Sequence, residues 1–395
     1  MRRMIIGLVP AILLLLLVPG VASAATTRIV DDNLACPGAT FTTIQAAVNT
    51  AIAGDTVKVC AGSYVETVTV NKTLTIQGAQ MGVDARTRVA VAGTESVVAG
   101  PGGGFNVSAN NVSINGFTIK NAAGSTGITL HTGFNGSKVT NNIIKNNTIG
   151  IYANSSGAGQ TKVSNNRLFD NNADGPAAGN GIYSDQGLTG GRINDNLFER
   201  NSNAGVLIAL NAATVNDLKI TTNSGVDNGS FVAVFHGTNV QVDQNTTGDT
   251  VPGDDNSQGS AIFVGGDAAG VSVSTNVVKD SPFNGIAVRA TASAVTVQSN
   301  TIRRASANGI SVSSSTSGGV SVLSNSVKFS QTDGISLEDT TSNDTVTGNT
   351  SVSNDLSSTG SVDCRDATLG SGTSGTANTW TSNTGNTSSP PGLCT

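Results

Sequence analysis

The apolar residues of this chain recur in short alternating runs, and the runs themselves recur along the chain. One copy is Val295-Thr-Val-Gln-Ser-Asn-Thr-Ile302. Its asparagine belongs to a series: Asn142, Asn166, Asn196, Asn223, Asn245, Asn276, Asn300, Asn325 and Asn349, with successive members 22 to 31 residues apart. Three positions before each stands a Val or Ile, from Val139 to Val346. Two positions after most stands another apolar residue, such as Ile144, Leu168, Phe198 or Ile302. Alternation at period two predicts half-buried strands, with Val295, Val297 and Ile302 inward and Thr296 and Thr301 outward. A second strand opened by glycine follows most asparagines, as in Gly150-Ile151, Gly205-Val206, Gly285-Ile286, Gly309-Ile310 and Gly334-Ile335. Glycine there suits either a positive φ or a close backbone approach.

A fixed period near 25 residues marks a solenoid, because one turn is too short to bury its own apolar face and turns must stack. About ten coils roughly 4.8 Å apart would make a rod on the order of 50 Å long. The repeated asparagine predicts a ladder of side-chain amides at an inward turn, each satisfying the next. In Ile114-Asn-Gly-Phe117, Phe117 falls in the asparagine slot and is expected to stack as an apolar group.

In this repeat the chain resembles the right-handed parallel β-helix proteins of the pectin-lyase-like superfamily, especially those with NosD-type repeats, over roughly residues 41–354. The resemblance implies an all-β, right-handed parallel β-helix. It leaves the chemistry open, since that superfamily holds lyases, hydrolases, esterases, epimerases and non-catalytic surface proteins.

The ends of the chain read differently. Met1-Arg-Arg-Met4, the apolar run from Ile5 to Val18 and Ala22-Ser-Ala24 predict a secretory signal peptide over residues 1–24. That run is too short to span a membrane, so the mature chain is expected to be secreted and free of it. Residues 25–354 are assigned to the β-helix with its N-terminal cap, and 355–395 to a looping C-terminal cap in which Trp380 covers the last coil. Ile44, Ala47, Val48 and Ala51 at helical spacing, with Thr42 or Thr43 as N-cap, predict a short helix over the open first coil. Cys36 with Cys60, and Cys364 with Cys394, are the natural disulfides of an exported chain, although three connectivities are possible. The net charge of −5, with no basic run, argues against a nucleic-acid partner. A monomer is expected.

Candidate chemistry is sparse. Gly62-Ser-Tyr-Val-Glu66 is similar to the Gly-x-Tyr-x-Glu motif of pectin methylesterases, whose later catalytic motifs are absent; it is read as a first-coil strand with Tyr64 against the cap. Gly253-Asp-Asp255 is similar to the aspartate pair of polygalacturonases, but the flanking motifs of that family stand on the wrong sides. Asp249, Asp254 and Asp255 are instead the oxygen ligands a calcium ion would take, and no other cofactor is expected. The NosD-type resemblance implies copper in some relatives, yet Met81, His131 and His236 form no cluster for it.

Threading the coils stacks two outward columns on the glycine-opened strand. One reads Thr129, Tyr152, Tyr183, Leu207, Ala233, Phe263, Ala287, Ser311 and Ser336; the other reads His131, Asn154, Asp185, Ala209, Phe235, Gly265, Arg289, Ser313 and Glu338. Tyr152, Tyr183, Phe235 and Phe263, with His131 beside them, therefore share one face near two long turns, about residues 170–180 and 246–260. Aromatic faces with polar neighbours suit stacking on sugar rings. The expected function is engagement of an extracellular polysaccharide. The rivals are a divergent lyase, hydrolase or epimerase, its site centred on Asp185 as acid or base, His131 or His236, Arg289 holding a uronate carboxylate and the Asp254 turn, and a purely structural or adhesive protein. A basic column, Lys120, Lys145, Lys279, Arg303 and Lys328, interrupted by Phe169 and Glu199, runs along another face.

Overall fold

The computed structural model describes residues 24–157, 159–209, 214–248, 259–314 and 319–395. The chain winds into an all-β, right-handed parallel solenoid of about fourteen turns. A representative coil runs from Lys138–Thr140 in the first sheet, through Ile143–Lys145 in the second, to Ile149–Ala153 in the third. Among the described residues the three sheets hold 14, 12 and 13 parallel strands respectively.

The coil number exceeds the ten read from the repeat, and the rod is correspondingly longer, about 65 Å at 4.8 Å per coil. Thr27–Val30 already forms the first strand of the first sheet, with Val30 paired to Val59. Cys364–Asp366, Thr379–Thr381 and Ser388–Ser389 continue the sheets beyond Asn354. The N-terminal strand lacks the asparagine pattern that marks the middle, and beyond Asn354 the pattern returns at Asn383, with Trp380 in the place of the Val or Ile. Inside, Val295, Val297 and Ile302 are buried, as alternation requires, in one cluster that runs from Val30 to Cys394.

The ladder forms as expected and reaches one coil further, to Asn383. Each Nδ2 donates to the next Oδ1 at 2.9 to 3.1 Å. Each also donates to the carbonyl of the β-branched residue one coil back, as Asn196 does to Val163 and Asn300 to Val273. Every asparagine thus ties three coils together through buried groups that would otherwise be unpaired. Phe117 packs edge-on to Phe105, ring centroids 5.1 Å apart, and gives its amide to Asn142.

The turn is made by the residue before each asparagine. Asn141, Asn165, Asp195, Thr222, Gln244, Thr275, Ser299, Ser324 and Gly348 all have φ between 53° and 68°. The glycine that opens the third-sheet strand has the other reason: a Cβ on Gly150 would sit 2.5 Å from the carbonyl oxygen of Gly181.

At the N-terminal end, helix Ile44–Thr50 is capped by Thr43, whose side chain accepts from the Ala46 amide. Glu66 accepts from the amides of Ile44 and Gln45 at 2.7 and 2.9 Å, and buried Tyr64 donates to the Cys60 carbonyl. The Gly-x-Tyr-x-Glu stretch therefore holds the cap. Disulfides join Cys36 to Cys60 and Cys364 to Cys394. Trp380 pairs in register with Val346 and donates its indole N–H to Asp366. Among the described residues no helix is long and apolar enough to cross a membrane.

Candidate functional site

The first outward column of the third sheet follows the register read from the sequence; in the second, Arg289 pairs with Ser313, but Asn154 is buried, its Oδ1 accepting from the Ser184 hydroxyl and the Asp185 and Gln186 amides. Thr129 pairs with Tyr152, Tyr152 with Tyr183, Tyr183 with Leu207, Leu207 with Ala233, and Ala233 with Phe263. The pairing then continues through Ala287 and Ser311 to Ser336. A one-residue slip would turn every one of these side chains into the core.

Two clefts open along this face. The first, of about 420 Å³, lies over Thr129, Tyr152, Tyr183 and Asp185, with Pro176 and Ala177 of the long turn forming a wall. The turn borders the tyrosines. The second, of about 470 Å³, begins one coil further on and is lined by Leu207, Ala233, Phe235, Phe263, Phe283 and Arg289. The aromatics come in two pairs. Tyr152 and Tyr183 stack with centroids 5.9 Å apart, and Phe235 and Phe263 lie 4.8 Å apart at a tilt.

Asp185 is engaged with its neighbours. Its carboxylate accepts from the Tyr152 hydroxyl at 2.5 Å and from the Tyr183 hydroxyl at 3.4 Å, while Gln186 donates to the Tyr152 oxygen. Burial, with the adjacent Asp185 charge, pushes Tyr152 up to about 12 and raises Tyr183 as well. Both tyrosines therefore stay protonated across the physiological range and keep a donor for Asp185 or for a ligand. The carboxylate fixes the stacked rings in place.

Arg289 lies beyond the phenylalanine pair, Nη1 3.3 Å from Ser313 Oγ and 3.7 Å from Glu338. It stands four coils from Asp185, roughly 19 Å along the rod. The two are on one face but cannot serve the same reacting atom. His131 is exposed, one coil before the tyrosines, and its Nε2 meets Asn106. His236, next to Phe235, holds Asp267 through Nδ1 at 2.7 Å. Asp249, Asp254 and Asp255 lie outside the described residues.

Sequence reading missed a second amide ladder at the turn between second and third sheets. Asn147, Asn171, Asn201 and Asn228 are buried and linked Nδ2 to Oδ1 at 2.9 to 3.1 Å. The signal was present, an asparagine five positions after each of Asn142, Asn166, Asn196 and Asn223. This ladder stiffens the corner beneath the first cleft.

The comparisons agree with the parallel β-helix architecture. The chain belongs to the family described as right handed beta helix region, whose model matches residues 82–247 and 213–384. A search of curated proteins returned no match. Among solved structures, the chain is similar to the catalytic unit of the thermostable GH87 alpha-1,3-glucanase from Streptomyces thermodiastaticus. That match has 15% identity and a TM-score of 0.60, and covers 87% of this chain and 66% of the glucanase unit, just under two thirds of its length. A GH87 alpha-1,3-glucanase catalytic domain in complex with tetrasaccharides matches with 12% identity and TM-score 0.52, covering 86% of this chain and 67% of that one. At these identities the likeness shows the fold alone.

Proposed function

We propose that this chain binds an extracellular polysaccharide along the outer face of its third sheet. The observation that carries the reading is the pair of aromatic platforms, Tyr152/Tyr183 and Phe235/Phe263, aligned on one half-exposed face. Stacked rings with hydroxyl, amide and carboxylate groups beside them suit the apolar face and hydroxyl rim of a sugar. The signal-like residues 1–24 and the two disulfides fit an exported protein. Neighbouring folds named as glucanases, one holding tetrasaccharides, are consistent with a glycan partner.

A second reading rests on the His236–Asp267 pair. An imidazole whose Nδ1 faces a carboxylate leaves Nε2 as the ring atom that could take up a proton, and His236 directly follows Phe235, which lines the second cleft. In that reading the chain is a polysaccharide-cleaving or epimerising enzyme. One experiment separates the two: a glycan array, followed by reducing-end and unsaturated-uronate detection on whichever polymer binds. Binding without product supports the first reading, and product that His236→Ala abolishes supports the second. No binding to any glycan would leave a structural or adhesive role.

A further inference from the structure

The cations of the rod avoid the face that carries the aromatic columns. Among the described residues, strands of the first sheet hold six lysines and arginines, from Arg28 to Lys219, and strands of the second hold six more, from Lys120 to Lys328. Strands of the third sheet hold two, Arg289 and Arg365. Each of those faces a carboxylate, Arg365 at 2.7 Å from Asp333 and Arg289 at 3.7 Å from Glu338. The lining of the first cleft includes Asp185 and no lysine, arginine or histidine. Asp174 stands exposed in the turn that walls it. Where the first cleft is charged, it is negative.

Asp185 has capacity for a further partner. The Tyr152 hydroxyl donates to one of its oxygens, that of Tyr183 reaches the other only at 3.4 Å, and the residue is half-buried. A carboxylate has about four acceptor sites, so these two donors leave others open. The rings of Tyr152 and Tyr183 border the same space. An ammonium group is drawn both to an aromatic face and to a carboxylate. A uronate would instead bring a second anion to Asp185 with no cation in the cleft to answer it. We propose, resting on the glycan reading above, that the polysaccharide engaged here carries free amines, as a partly de-N-acetylated hexosamine polymer does. One ammonium group is held in the first cleft by Asp185 and the two tyrosine rings. Arg289, beside Glu338 at the second cleft, is too distant to oppose it, roughly 19 Å along the rod.

The test is isothermal titration calorimetry of the full chain with the hexamers of glucosamine, N-acetylglucosamine and galacturonate, in mildly acidic buffer where sugar amines are protonated. Wild type should bind the glucosamine hexamer about tenfold or more tighter than the acetylated one, and added salt should shrink that margin. Asp185→Asn, with its circular dichroism spectrum unchanged, should close the margin while keeping the wild-type affinity for the acetylated hexamer. A parallel fall in both affinities would reduce Asp185 to a support for the tyrosines and overturn the proposal. Equal wild-type affinity for the two hexamers, tighter binding of the galacturonate hexamer, or a margin that survives Asp185→Asn would overturn it as well, and would leave glycan binding itself standing. If none of the three hexamers binds, the amine assignment falls, and the glycan array alone decides the broader reading.

Discussion

Asn223 shows what a single residue does in this fold. Its Oδ1 accepts from both the amide N–H and the side chain of Asn196, and its own Nδ2 donates to Asn245 and to the Ile193 carbonyl. Asn223→Ala removes these partners while leaving the neighbours buried, and should destabilise by about 3 kcal/mol in denaturant titration. Asp344 is the opposite case. It is buried, one carboxylate oxygen accepts from the Val320 amide, and the other has no partner. Burial first, and then the nearby Asp366 charge, raise its pKa to about 6 from an ordinary 3.8. The fold thus favours the protonated acid, so this group's contribution is full below about pH 4 and is lost as the pH rises through 6. Asp344→Asn keeps the accepting oxygen and removes the charge. Its thermal midpoint should exceed wild type at pH 7.5 and match it at pH 4; equal midpoints at both would show that Asp344 does not titrate in this window.

At the scale of elements, the cap and the coil corners decide what a sequence reader can see. Glu66 and Tyr64 were read as a first-coil strand under the cap, and Glu66 proves to hold the first two helix amides. Glu66→Ala should cost about 1 to 2 kcal/mol and speed amide exchange in Ile44–Thr50 before other regions respond. The first asparagine ladder and the outward columns were legible because every coil repeats them at one spacing. The second ladder escaped because only four coils carry it before Ser281, Ala305 and Ser330 take its place. The left-handed residue at each corner was invisible for another reason. Asn, Asp, Thr, Gln, Ser and Gly all fill that position, so residue type carries no signal even though the backbone requirement is constant. Thr27–Val30 lacks the repeat and joins the first sheet by pairing alone, and after Asn354 the one return of the repeat, Trp380 with Asn383, stands 34 residues beyond Asn349, outside the spacing of the others.

The molecule as a whole is a rod whose length, faces and column registers follow from stacking about fourteen coils. Stacking turns residues two dozen apart into neighbours, and so gives a chain with only 4% aromatic residues two aromatic platforms on one wall. The disulfides close the two ends, where a solenoid has no further coil to pair with. Asp185 and Arg289 were the sequence's choices for chemistry. They share the wall but stand too far apart to act on one bond, and Asp185 is occupied in orienting tyrosines. What sequence could not supply was the distance along the rod and the partner of each polar group, which depend on side-chain geometry that a register alone does not fix.

The most direct measurement of the central claim is the affinity of wild type and of Tyr183→Ala/Phe263→Ala for the polysaccharide that a glycan array selects. The two substitutions lie three coils apart on one face and reach neither the core nor the ladders. The variant should retain the wild-type circular dichroism spectrum and thermal midpoint and lose binding by about tenfold or more, each platform contributing on the order of 1 kcal/mol. Undiminished affinity in a correctly folded variant would contradict the groove.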